Sequence, residues 1–178
     1  MRHKVTFTLL SIVVIMMCLV IILTVRILPL LTSTNSAVET ATLFALDHTP
    51  LQHVQSAQIY TGEPMDVTVT GTDALGRELY VFVRNQQATI VYKSQTVSQT
   101  RAIQAVEALH KPITRIVSAL PGIVDKSLNT PLSTKASGNA VWQITAHLTN
   151  GGYLFTYVDM YTGRLLFYFQ TNHFPQVG

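Results

Sequence analysis

Apolar and polar positions follow three different rhythms along this chain, and each predicts a different kind of element. Residues 5–25 hold no Asp, Glu, Lys, Arg, Asn or Gln. At ~1.5 Å of helical rise per residue that run reaches ~32 Å, enough for the ~30 Å hydrocarbon core of a bilayer. A membrane helix over 5–28 is predicted, with a tail of residues 1–4 before it and a polar stalk, 29–35, after it. Arg2, His3 and Lys4 precede the run and only Arg26 follows closely, so the positive-inside rule puts the N-terminus in the cytoplasm and the rest outside. The run exceeds the ~7–15 apolar residues of a signal peptide and lacks a small-residue cleavage site, which predicts a retained anchor.

Beyond the stalk the rhythm is helical. Ser36 and Glu39 have capping-box spacing, and Ala37, Ala41, Phe44 and His48 recur as one face before Pro50 ends the helix. The period then shortens to two. Strands are expected over 54–60, 67–71, 79–83 and 88–92, the third a continuous apolar run of the kind buried at the centre of a sheet. The order then repeats. Ser98 caps a helix with an Ala102, Val106 and Leu109 stripe, a strand is expected over 113–120 closed by Pro121 and Gly122, and a long loop over 125–139. Trp142, Ile144, Ala146 and Leu148 alternate with Gln143, Thr145 and His147, Asn150-Gly151-Gly152 turns the chain, and strands 153–159 and 165–169 follow. The fold class predicted is α+β, with two degenerate copies, 36–94 and 97–171, of a helix packed on an antiparallel meander.

Charge adds topology and little else. The chain carries 12 Lys and Arg against 9 Asp and Glu, and the excess lies in Arg2, Lys4 and Arg26, so the part beyond the stalk is formally neutral and has no nucleic-acid footprint. The single cysteine, Cys18, lies in the apolar run, leaving the outer part without a disulfide or thiolate metal ligand, a composition that suits an exported bacterial protein.

Candidate chemistry is sparse. Asp66, Asp73 and Glu78 are near one another in sequence, but Asp73 reads as a turn former and the other two as a solvated face. His48, His53, His110, His147 and His173 have no metal-ligand spacing, and neither a nucleophile elbow nor a phosphate loop is present. No catalytic, cofactor or metal residue is assigned, and the expectation is a protein that is not an enzyme. Tyr80, Phe82, Tyr92, Trp142, Tyr153, Phe155, Tyr157, Phe167 and Tyr168 are expected chiefly in the core, with a partly exposed aromatic strip as the alternative.

The runs VQSAQIYTGEPMDVTVTGTDALGRELYVFV (54–83), SQTRAIQAV (98–106) and VWQITAHLTNGGYLFTYVDMYTGRLL (141–166) resemble the TseB-like family of bacterial cell-wall-elongation regulators. The most specific pieces are Gly71-Thr72-Asp73 before Gly76 and Tyr80, and Trp142 followed by Gly152, Tyr157, Asp159 and Thr162-Gly163. The resemblance implies a Gram-positive bacterium, one membrane helix, and two cystatin-like domains of the PepSY type outside it. It also implies a membrane-bound penicillin-binding protein of the elongation machinery as partner, without catalytic residues of its own; neither a nucleic acid nor a small-molecule ligand is expected. Departures from the pattern are Gln143 where an acid is expected, His147 for an aromatic, Arg84 for a proline, and a longer 125–139 segment. The alternative is a PepSY-type peptidase-inhibitor or protease-modulating module, which a sheet edge would serve by strand addition. A wall hydrolase would need paired carboxylates in a cleft, and the acids here are scattered.

Overall fold

The computed structural model describes residues 16–17, 36–62 and 65–172. The chain divides into two units, Met1–Glu39 and Thr40–Gly178. In the first, Met16 and Met17 are helical and exposed. The rest of the expected membrane span, and all of the stalk, lie outside the described residues. Among the described residues no helix is long and apolar enough to cross a membrane.

Helix α1 occupies 36–48. Ser36 is helical, and the residues before it, which would show where the helix is capped, lie outside the described residues. The buried face also differs from the expected stripe: Ala41 and Ala45 are buried, whereas Ala37 and His48 are exposed. Two alanines four residues apart give a smooth strip for close packing, and the larger rings move to the flank, where Phe44 and His48 stack with centroids 4.3 Å apart.

Eight strands form two four-stranded antiparallel sheets. The first contains β1 (Leu51–Tyr60), β2 (Asp66–Asp73), β3 (Glu78–Arg84) and β4 (Gln87–Tyr92), in that order. The second contains β5 (Ile113–Ile123), β6 (Ala140–Leu148), β7 (Tyr153–Asp159) and β8 (Leu165–Thr171), again in chain order. Each sheet follows a helix, the second following α2 (Gln99–Glu107). Simple meanders result because short turns join consecutive strands, except that the longer segment 124–139 joins β5 to β6. Asn85 and Gln86 both adopt positive φ between β3 and β4, as a two-residue I′ hairpin requires. Gly151 does so between β6 and β7, where Asn150 Oδ1 accepts the Gly152 amide at 3.0 Å.

The Ser98 side chain accepts the Arg101 amide at 3.2 Å, as expected of the α2 cap, and Ala102 and Val106 are fully buried. Replacing Ser98 by alanine is expected to cost about 1 kcal/mol, measurable as a lowered midpoint in urea unfolding.

Three expectations are corrected. Strand β5 runs through Pro121 and Gly122 to Ile123 instead of stopping before them. It is the edge of its sheet, where a missing N–H need cost no ladder bond, and Pro121 pairs with Trp142 in register. The 125–139 segment contains a helix, α3 (Pro131–Lys135), built by a Thr130–Ser133 capping box with Pro131 in the first turn. Lys126 Nζ donates to the carbonyls of Ser133 and Ala136 at the other end of that helix. Finally, Asp66, Thr68 and Thr70 are buried, so β2 does not turn a polar face to water. Its second face meets the other sheet, and Thr68 Oγ1 donates to the Pro121 carbonyl at 2.9 Å.

One core serves both sheets. Tyr80, Phe82 and Val91 of the first sheet cluster with Ala102 and Val106 of α2 and with Trp142, Ile144, Ala146, Leu148, Leu154 and Val158 of the second. Trp142 meets the edge of Tyr80 at 5.9 Å and donates from Nε1 to the Val97 carbonyl at 3.2 Å. A second, smaller cluster seats Tyr60, the last residue of β1, against Val124, Ala136, Val141 and Leu166. The Tyr60 ring lies so close to Gly62 and Gly122 that a Cβ on either would approach ring atoms to 2.3 or 2.2 Å. Glycine at both places is what admits the ring.

Candidate functional site, a cleft on the second sheet

The face of the second sheet turned away from the shared core carries an open cleft of about 610 Å³. Its floor follows from strand register. One rung across all four strands is Ser118, Thr145, Phe155 and Phe169, and the next is Leu120, Gln143, Tyr157 and Phe167. The floor is polar toward β5 and β6 and aromatic toward β7 and β8. Leu128, Thr130, Pro131 and Leu132, from the segment that folds as α3, form one wall, and Thr61, Gly62, Val124 and Asp125 complete the lining.

The aromatic end reaches the surface. Phe155 is buried and stacks on Phe169 at 5.1 Å, with Phe167 6.1 Å from Phe169. Phe167, Tyr168 and Phe169 are 38–40% exposed on β8, the last strand of its sheet. The partly exposed aromatic strip weighed from the sequence is therefore present in Phe167 and Phe169, which line the cleft, while Tyr168 between them turns to the opposite face with Lys111 Nζ 5.3 Å from its ring centre. A register shift between Tyr157 and Val158 lets both Leu166 and Phe167 belong to this side, Leu166 packing in the Tyr60 cluster.

Two polar groups beside the cleft are buried without a hydrogen-bond partner: the Tyr60 hydroxyl and Gln143 Oε1. Burial drives the Tyr60 phenol well above its usual range, helped by Tyr157 and Asp66, so it stays protonated. Among the described residues, Asp125 is the one charged member of the lining. Ser127 bonds it through hydroxyl and amide, at 2.6 and 2.9 Å, and Arg84 through a 3.2 Å contact. Those Ser127 bonds, then Arg84, hold its carboxyl below the usual range. Among the described residues the cleft thus presents no free charge.

The sequence-level acid candidates do not converge. Asp73 accepts the Leu75 and Arg77 amides and the Arg77 guanidinium; burial pushes its carboxyl up, but the Arg77 bonds win and leave it lowered. Glu78 pairs with Lys93 at 2.9 Å. Asp66 corrects the solvated-face reading outright. It is buried, neither oxygen has a hydrogen bond of good geometry, and Arg84 Nε is 3.8 Å away. Burial raises its carboxyl to about 6, Arg84 and the Ile123 amide pull it down, and Asp125 pushes it further up. Among the described residues no cluster of three or more His, Cys, Asp or Glu could hold a metal ion. His48 lies on the α1 flank and His147 meets Tyr153 edge-on at 5.2 Å, far apart in the fold's element order. His173 lies outside the described residues.

Residues 40–84, from α1 through β3, match the family model of the cell wall elongation regulator TseB-like domain. A curated relative, the probable cell wall elongation regulator TseB of Bacillus subtilis (strain 168), is 29% identical over 132 residues, 72% of this chain and 73% of that protein. Among solved structures, the YpmB protein from Bacillus subtilis is similar with a TM-score of 0.60 and 23% identity, over 75% of this chain and 96% of that one. The last is a likeness of fold, and it agrees with two likenesses of sequence. The chain is thus similar to the TseB-like cell wall elongation regulators, through a matching domain at residues 40–84 and a relative aligned over most of its length.

Proposed function

We propose that this protein is a non-enzymatic, single-pass membrane protein that regulates cell-wall elongation by binding a membrane-bound penicillin-binding protein on the outer side. The observation that carries the reading is the match to the elongation-regulator family by both domain and relative. The apolar run 5–25 with basic residues before it supports a retained anchor with a cytoplasmic N-terminus. On this reading the outer part is a tandem of PepSY-type copies, 36–94 and 97–171. The acids described above serve turns, ion pairs and a buried position, which fits a module that works by contact. Tethering confines it to the same surface as its partner, so a weak contact is populated through high effective concentration.

The test is crosslinking in living cells followed by recovery of the chain from carbonate-washed membranes. A penicillin-binding protein should be retained with it, and deletion of the gene should change cell length, shape or β-lactam sensitivity, with rescue by residues 32–178 on an unrelated anchor. Recovery in the carbonate wash would remove the anchor from the reading. Normal wall growth with altered exported proteolysis would replace the regulator by a protease-modulating module.

A further inference from the structure

The cleft on the second sheet has the attributes of a ligand site, and nothing in the regulator reading uses them. Its volume, about 610 Å³, falls within the ~300–1,000 Å³ of small-molecule sites. Phe155, Phe167, Phe169, Leu120 and Leu132 supply an apolar lining, and its charged member, Asp125, is already matched by Arg84. Among the described residues of the lining, no unpaired charge replaces the water that an anion or cation sheds on entering. A neutral body is what this lining accepts.

Gln143 sets the polar requirement. It lies mid-floor on β6, between Leu120 and Tyr157 in register, is only 5% exposed, and its Oε1 has no hydrogen-bond partner. A buried amide oxygen left unpaired is costly, whereas an apolar side chain of the same shape would cost nothing in hydrogen bonds. The terminal amide torsion of glutamine is a broad well, so a donor in the cleft can draw that oxygen toward it. We propose that this cleft binds a neutral, mostly apolar small amphiphile, an acyl or aryl body carrying one N–H or O–H group that donates to Gln143 Oε1. The aromatic end at β8 takes the apolar body, and the β5–β6 end takes the polar group. The proposal stands whether or not the chain contacts a synthase.

The probe is 4-fluorobenzanilide, with 4-fluorophenyl benzoate as its counterpart lacking the N–H. Binding is followed by ¹⁹F line broadening with the full chain in detergent micelles, and protein-free micelles give the partition baseline. The anilide should bind at least about tenfold more tightly than the ester, the value of one satisfied buried acceptor. The Gln143→Leu chain should bind both alike. Ser118→Phe, which fills the polar end from a partly exposed strand position, should weaken both, and serves as the second variant should Gln143→Leu fail to fold. Displacement of the anilide by dodecanamide but not by methyl laurate would assign an acyl source, and absence of displacement by either an aryl one. Equal binding of anilide and ester to the wild-type chain, a preference that persists in Gln143→Leu, or no broadening beyond the micelle baseline would each overturn the proposal.

Discussion

Replacing Trp142 by alanine is expected to remove about 3–5 kcal/mol of stability and to do so for both sheets at once. The side chain is 2% exposed and belongs to the core that joins Tyr80, Phe82 and Val91 to α2 and β6. Truncation leaves a cavity between the sheets, deletes the edge-on contact with Tyr80, and leaves the Val97 carbonyl without its indole donor. Against a typical total of about 5–15 kcal/mol, that loss is a large fraction. Since the core is common, wild-type unfolding in guanidinium should give one transition, superimposable by far-UV circular dichroism and by the fluorescence of the chain's single tryptophan. The alanine variant should shift that transition as a whole. Loss of signal from the second sheet alone, with the first unchanged, would show that the shared core does not couple them.

Asp66→Asn is expected to stabilise the protein at neutral pH by about 2 kcal/mol and to leave it unchanged near pH 4. In the unfolded chain this carboxyl titrates near ~3.9; in the fold, burial raises it to about 6. Below about pH 4 both states hold the proton and the group contributes nothing to the balance. As pH rises from there the unfolded chain loses its proton first, so stability falls through the window up to about 6 and stays reduced above it. The groups facing this carboxyl set the size of the effect. Arg84 on β3 offsets burial from 3.8 Å, Asp125 beyond β5 opposes ionisation, and Tyr60 at the end of β1 is a neutral phenol there. Asparagine removes the ionisation, and Arg84 retains Asp125 at 3.2 Å. The check is the pH dependence of the urea midpoint for the two proteins between pH 4 and 8, where their difference should grow with pH. A variant less stable than wild type at pH 7 would mean that the Arg84 ion pair outweighs the cost of burial.

The elements whose signals are local were legible in advance. The Ser98 cap, the Ala102 and Val106 stripe, the Asn150-Gly151-Gly152 turn and the apolar run of β3 depend on neighbours within a few residues, and the structure has each of them. The misreadings share a different origin. Pro121 and Gly122 look like a stop until β5 is known to be an edge strand and Tyr60 is known to need the space at Gly122. Asp66 and Thr68 look solvated because alternation along β2 does not reveal a second sheet against the polar side. The cleft was missed for the same reason. Its rungs join residues from four strands, and none is adjacent in sequence to another rung member. A faint signal did exist. Of the four departures from the family pattern, Gln143 lines the cleft, Arg84 neutralises its acid and the extended 125–139 segment provides a wall, while His147 is not part of it.

By itself, then, the sequence determined the period of each segment, the two helix-and-meander series, the likeness to TseB-like regulators, and the neutrality of everything beyond the basic N-terminal end, because helix period, strand alternation, turn chemistry and charge are all properties of short windows. Only the tertiary structure decided which faces are dry. Stacking one sheet and α2 against the other made a polar-looking strand interior, put Trp142 and Tyr80 in one core, and left β8 as an edge with three aromatics toward solvent. Burial is fixed by what lies across from a side chain, and residues such as Thr68 and Pro121, or Arg84 and Asp125, meet only after the chain has closed upon itself.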